Sequence, residues 1–381
     1  MRFYRLTMVV ALSATAACST VDRLNPFSSS AGPKMAELTP ITDSAEAKVA
    51  WKAEVSKSAG YVFTPAAAGG AIYAAGGKGD VVRLEGGAVT WRVEVGTPLS
   101  GGVGTDGRRV VVGSPKGDVI ALDANDGKEL WRTRVTSDVL AAPAVNGSLV
   151  VVRSGDNRLF GLDASDGKRK WIYQRQTPPL SLRSFAAPLI DNNYVFAGFP
   201  GGKLVAVTTN NGAIAWEGAV ALPKGTTELD RVADITSAPV LAGRLICAVA
   251  YQGRVACFDL GSGNLAWAKE MSSAAGLAVD SRYVYVSDDK GAVHALDLAS
   301  GASIWKQDKL FMRHLSAPAA HGRLVAVGDV KGVVHFLNRE DGSFAARIST
   351  DGSPVAAPLQ VVNNTVVLQT QGGAVMALEA R

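Results

Sequence analysis

Residues 121–132 read ALDANDGKELWR, and residues 161–173 read GLDASDGKRKWIY. A chain with only seven tryptophans places two of them in one recurring phrase. All seven belong to a series: Trp51, Trp91, Trp131, Trp171, Trp216, Trp267 and Trp305, spaced by 40, 40, 40, 45, 51 and 38 residues. Spacing near 40 residues is the mark of a repeat architecture.

Each phrase opens on a strand of alternating side chains that follows a glycine or Asp-Asn turn. The set is GDVVRLEGG, GDVIALDAN, DNRLFGLDAS, GGKLVAVTTN, QGRVACFDL, KGAVHALDL, KGVVHFLNRE and GGAVMALEA, eight β-strands by pattern. Upstream of each lies an apolar run such as GSLVVVRS or GRLICAVA, and before that a short stretch of small residues with a proline, as in AAPA and SAPV. Small-residue strand, apolar strand, alternating strand and tryptophan strand make four strands per unit. The reading is an all-β, eight-bladed β-propeller of four-stranded blades, about 42 residues each. Proline cannot donate to a ladder, so it is expected at the first position of the innermost strand.

Closure follows from the ends. GGAVMALEA runs into the C-terminus at Arg381 with no tryptophan strand after it, whereas AKVAWKAEV, residues 47–55, is such a strand with nothing before it. The N-terminal strand is therefore expected to complete the last blade and remove a free edge. Asp126-Gly127 turns the third strand into the fourth, glycine tolerating the positive φ of that hairpin. The indole that follows is expected to pack against a neighbouring blade. Ala346 stands where the seventh blade would carry its tryptophan, so that joint is expected to be the weakest.

The start, MRFYRLTMVVALSATAACST, sets Arg2 and Arg5 before a short apolar run and small residues leading to Cys18. This is a secretory signal, too short to span a bilayer. The ending TAAC resembles a bacterial lipobox, with Thr15 where leucine is usual; Cys18 would be the lipidated first residue, held on a membrane by its acyl chains. By the sorting rule for such lipoproteins an Asp after the cysteine retains the protein in the inner membrane, and Ser19 favours the outer one. The domain reading is 1–17 signal peptide, 18–46 lipidated flexible tether and 47–381 propeller.

Bulk composition excludes little more. The chain is 47% hydrophobic and 19% charged with a net charge of +5, ordinary for a folded domain. Without a run of basic residues or a basic patch interleaved with aromatics, nucleic acid is not an expected partner. Phosphate-cradling glycine loops, a Gly-x-Ser-x-Gly elbow and His-Glu-x-x-His are all missing from the sequence, and each would have pointed to an enzyme. Cys247 and Cys257 lie on consecutive strands and come nearly opposite if the turn centres on Gln252. They are read as buried, unbonded small hydrophobes, although an oxidising compartment would permit a disulfide. His294 and His335 hold equivalent places in adjacent blades and are expected to repeat a structural role. Asp123, Asp163, Asp259 and Asp297 are read as turn caps.

The tryptophan-docked repeat is similar to the quinoprotein-type propeller repeat, and the whole mature chain behind its lipobox resembles the BamB family. That family comprises the lipoprotein B subunits of the machinery that inserts β-barrels into the outer membrane. Two stretched intervals carry the more specific likeness: PPLSLRSFAAP at 178–188 and PKGTTELDRVADITSAP at 223–239. Both fall between an outer strand and the next inner strand, so they are expected side by side on one face, flanking the fourth blade. From the residues alone, Leu180 and Leu182 are either buried beneath their loop or exposed as an anchor.

The resemblance implies that Leu180, Leu182 and Arg183, together with Asp234, meet a periplasmic domain of the barrel-forming subunit. Thr236 stands where the family has a second aspartate. Glu228, Asp230 and Arg231 either compensate or form an ordinary internally paired loop. The implied function is a non-enzymatic docking scaffold in outer-membrane protein assembly, lipid-anchored, facing the periplasm and without a cofactor, with nascent outer-membrane proteins as further partners. Partner domains of this kind often dock by adding to a sheet edge. The other reading is a quinone-dependent dehydrogenase or small-ligand-binding propeller; against it, those enzymes carry adjacent cysteines, which this chain lacks.

Overall fold

A computed structural model describes residues 34–42 and 44–381. The signal segment 1–17, Cys18 and the tether up to residue 33 lie outside the described residues.

Eight four-stranded antiparallel sheets follow one another along the chain. Blade 1 consists of Ala66–Ala68, Ala71–Ala75, Asp80–Glu85 and Ala88–Glu94, and blade 4 of Leu189–Asp191, Tyr194–Phe199, Lys203–Thr208 and Ile214–Ala219. Blade 3 consists of Ala144–Val145, Leu149–Arg153, Arg158–Asp163 and Arg169–Gln174, and blade 5 of Val240–Ala242, Leu245–Val249, Arg254–Asp259 and Leu265–Glu270. Blade 6 consists of Gly276–Val279, Tyr283–Ser287, Val293–Asp297 and Ser303–Gln307, and blade 7 of Ala319–His321, Leu324–Gly328, Val333–Asn338 and Phe344–Ser349. Blade 8 joins the two ends of the chain: Gln360–Val362, Thr365–Gln369 and Ala374–Ala380 are completed by Ala47–Glu54. The register runs from Ala47 opposite Ala380 to Glu54 opposite Ala374, so the ring closes as the terminal sequences require. Second and third strands are buried almost throughout, and the core lies between blades as a series of apolar clusters. The expected prolines sit one place earlier than read: Pro65, Pro143, Pro188, Pro239 and Pro318 each immediately precede the inner strand. There the missing N–H deprives the ladder of nothing.

The tryptophans join blade to blade. The indole N–H of Trp91 donates to Ala124 O, Trp131 to Ala164 O, Trp171 to Thr209 O, Trp216 to Leu260 O, Trp267 to Leu298 O and Trp305 to Arg339 O. Every acceptor lies in the hairpin of the next blade. Each outer strand carries a β-bulge beside its tryptophan, as between Ala121 and Leu122 of the partner strand. A bulge increases local twist. Burial of each indole is worth about 3 kcal/mol by truncation costs.

The hairpin glycine has a second duty besides its positive φ. A Cβ on Gly167 would lie 2.5 Å from Trp131 Cε3, and one on Gly342 would lie 2.5 Å from Trp305 Cε3. Glycine and tryptophan therefore recur in one phrase because each hairpin receives the tryptophan of the preceding blade. Ala346 has no such receiver, because the outer strand of blade 8 arrives from the N-terminus and has no hairpin with the third.

The turn caps stand where expected. Asp123, Asp163, Asp259 and Asp297 accept the N–H of Asn125, Ser165, Ser262 and Ser300. His294 and His335 repeat one role, each ring Nε2 meeting an aspartate six residues earlier, Asp288 at 2.9 Å and Asp329 at 3.0 Å. The cysteine reading is corrected: Cys247 and Cys257 form a disulfide. Gln252 in the turn adopts φ 48°, and the register sets the two cysteines directly opposite, both fully buried. Neighbouring strands hold the thiols together, so oxidation needs no backbone movement.

Candidate partner-docking site

The connection from blade 3 to blade 4, residues 175–188, and that from blade 4 to blade 5, residues 220–239, lie on the same face and touch. The backbone N–H of Leu182 donates to Asp234 Oδ2 at 2.6 Å. The other carboxylate oxygen, Oδ1, accepts from Gly201 N–H at 3.0 Å, in the turn between the middle strands of blade 4. Asp234 O accepts in turn from Tyr251 N–H. Asp234 is thus the clasp of the composite patch. It is 2% exposed, so its carboxylate is turned inward.

A second buried charge holds the first loop from below. Arg153, 4% exposed, donates to Ser184 Oγ at 3.0 Å and to Asn157 Oδ1 at 3.1 Å, and its guanidinium lies 5.4 Å from the centroid of the Phe199 ring. Burial lowers its pKa to about 10 and the negative charge of Asp234 acts the other way; the group stays cationic at neutral pH. No motif in the sequence marks Arg153. A lone arginine ending an apolar strand was its only signal.

Above these clasps the predicted residues divide. Leu180 is 43% exposed and Leu182 half-buried. The Arg183 guanidinium lies 5.3 Å from the centroid of the Tyr61 ring and 3.5 Å from Asp138 Oδ2, with much of its side chain still in solvent. In the second loop Asp230 accepts from Thr227 N–H and Oγ1–H, bonds that hold its carboxyl below the usual range. Arg231 donates to Gly225 O and to Glu228. Asp230 and Arg231 thereby shape their own loop. Thr236 donates to Ala274 O, tying the loop to the connection between blades 5 and 6. Leu222 and Leu229, which the sequence reading passed over, are exposed apolar residues of this loop, Leu229 at 72%.

Chemistry is sparse elsewhere. Among the described residues, no group of three or more His, Cys, Asp or Glu side chains stands where it could hold a metal ion. Inner strands and the segments before them line a cavity of about 500 Å³ with alanines, valines and prolines, and its few polar groups, such as Thr64, Ser237 and Gln360, are uncharged. An anionic quinone would find no countercharge there, so these residues do not fit such a cofactor.

A closed ring of tryptophan-docked blades with two clasped, partly apolar loops on one face is a propeller of the quinoprotein-repeat class. The family model described as "Outer membrane protein assembly factor BamB" matches residues 77–307. The protein of that name from Bordetella pertussis is 42% identical over 350 residues, 91% of this chain and 90% of the relative. The crystal structure of BamB from Moraxella catarrhalis superposes with a TM-score of 0.82 at 31% identity, covering 88% of this chain and all of that one. Quinohemoprotein alcohol dehydrogenase from Comamonas testosteroni also superposes, with a TM-score of 0.69 over 87% of this chain and 76% of that one. At 14% identity it shares the fold alone. The chain belongs to the BamB family of outer membrane protein assembly factors, and it is an assembly factor and not an enzyme.

Proposed function

We propose that this protein is a docking scaffold which holds the barrel-forming subunit of the outer-membrane assembly machinery through a periplasmic domain. Cys18 would carry the lipid anchor, setting the ring on the periplasmic side of the outer membrane. The mechanism is binding: a rigid ring presents two clasped loops whose exposed leucines supply apolar area and whose Arg183 supplies a directed charge.

The observation that carries this reading is the bond from Leu182 to Asp234. It makes two segments distant in sequence into one preorganised surface, so little loop entropy is lost on docking. Membership of the family supports the same partner, as do Leu180, Leu182 and Arg183 on the solvent side of the clasp. Incoming outer-membrane proteins would pass the same scaffold.

Replacing Leu180, Leu182 and Arg183 together by alanine tests it. Co-purification with the barrel-forming subunit from gently solubilised membranes should be lost while the circular dichroism and melting curve stay those of the parent. Undiminished co-purification would refute the assignment of the site.

A further inference from the structure

The N-terminal segment does not simply hang from blade 8. Residues 36–46, described apart from residue 43, run along the outer edge of blade 7. Ser44 and Ala45 donate to Ala345 O at the start of the outer strand of blade 7, and Arg347, midway along it, reaches Thr39 O. At the far end Ala36 N–H donates to Phe311 O, and Arg313 Nη1 donates to Ala36 O. Leu38 packs against the apolar cluster of Trp305, Leu310, Leu315 and Phe344 between blades 6 and 7.

The receiving side is built from buried charge. Arg313 is 4% exposed and Asp329 fully buried; Arg313 Nε donates to Asp329 Oδ2 at 2.6 Å. Arg347 Nε donates to His335 Nδ1, whose Nε2 meets the same carboxylate. Both arginines are thus braced on one network and spend a further donor on the carbonyls of the N-terminal segment. On either side of Arg313, Met312 and His314 adopt φ of 56° and 47°, a conformation that costs a non-glycine residue and persists where surroundings over-determine it.

Topology gives this seat a consequence. In an up-and-down blade the connection from outer to next inner strand emerges on one face, and the hairpin from third to outer strand on the other. Ala47 begins the outer strand of blade 8 opposite Ala380, on the hairpin face. Phe311 and Arg313 lie in the connection from blade 6 to blade 7, on the face that carries the docking loops. We propose that blade 7 is a binding site for the chain's own residues 36–42 and 44–45, and that this seat brings the N-terminal segment across the rim. The segment then leaves the ring on the loop face and not on the hairpin face. Resting on the anchored-scaffold reading above, the seat turns the docking loops towards the membrane that holds Cys18.

The test uses the full lipidated chain in vesicles of phosphatidylethanolamine and phosphatidylglycerol with a headgroup spin label. A fluorophore is placed at Lys224→Cys on the loop face or at Asn210→Cys on the hairpin face, both exposed positions. Quenching at 224 should exceed that at 210 by about threefold or more. Leu38→Ser combined with Arg347→Met should abolish the difference and speed amide exchange at Ala36, Ser44 and Ala45. Leu38→Ser alone, which alters only the segment and leaves the ring intact, should move both readouts the same way. Equal quenching in the parent, or an unchanged preference in both variants, would overturn the inference while the anchored-scaffold reading stands. Protein that washes off the vesicles would overturn both.

Discussion

Leu182 and Asp234 are 52 residues apart and meet through a 2.6 Å hydrogen bond from backbone N–H to carboxylate. Asp234 also accepts from Gly201 N–H, so one buried side chain sets the conformation of the loop that carries Leu180 and Arg183. Asp234→Ala removes both acceptors. A hydrogen bond to a charged group contributes about 1.5–3 kcal/mol, so affinity for the barrel-forming subunit should fall about 10- to 100-fold although Asp234 is a buried residue. Amide exchange at Leu182 should accelerate in parallel. Asp234→Asn, which keeps one acceptor, should lie between.

The blade joints predict an asymmetry. Trp305→Ala should destabilise the ring by about 3–5 kcal/mol in denaturant unfolding, the usual cost of truncating a buried aromatic. Gly342→Ala should cost about 1–3 kcal/mol, because the new methyl would meet the Trp305 ring at a glycine with φ 71°. Ala346→Trp should bring no gain, since blade 8 offers no hairpin to receive the ring.

Much of this was legible beforehand, and the limits are physical. Tryptophan spacing and the two complementary ends announced eight blades and their closure, because every repeat meets the same packing demand. The side-by-side loops followed from counting strands. That Asp234 points inward was not legible: an acid in a polar loop looks like any other until the ring sets Gly201 and Leu182 around it. The seat on blade 7 was equally silent. Residues 36–46 have no apolar period, and the two arginines hold them by backbone carbonyls, which any sequence provides. Local pattern showed the two cysteines facing each other across a turn, but a thiol and half of a disulfide read alike.

Stability should depend on pH through the network on blade 7. Burial depresses the pKa of His335 below its ordinary 6.5; Arg347 and Arg313 act in the same sense and together these outweigh the opposing pull of Asp329. The unfolded chain therefore binds a proton that the folded one does not. Stability is full above pH 6.5 and declines as pH falls below it. For Asp329, burial is outweighed by bonds from His335, Val333 N–H and Arg313, and its pKa is about 2. That contribution is present above the unfolded value of 3.8 and is lost as pH falls towards 2. Denaturant midpoints should drop from pH 7 to pH 5 in the parent, and His335→Gln should flatten that limb.

Removing the disulfide should cost about 2–3 kcal/mol, as expected for a bridge closing a short loop. Cys247→Ser, Cys257→Ser and the double variant should melt at similar, lowered temperatures. Reductant should lower the melting temperature of the parent alone.

The central claim is that the two clasped loops are the face that meets the barrel-forming subunit. A photo-cross-linking amino acid placed at Leu180 and, separately, at Asn210 on the opposite face tests it in living cells. An adduct with that subunit from position 180 and none from position 210 is the predicted result. An adduct from 210 alone, or from neither while the protein still co-purifies with the subunit, would contradict it.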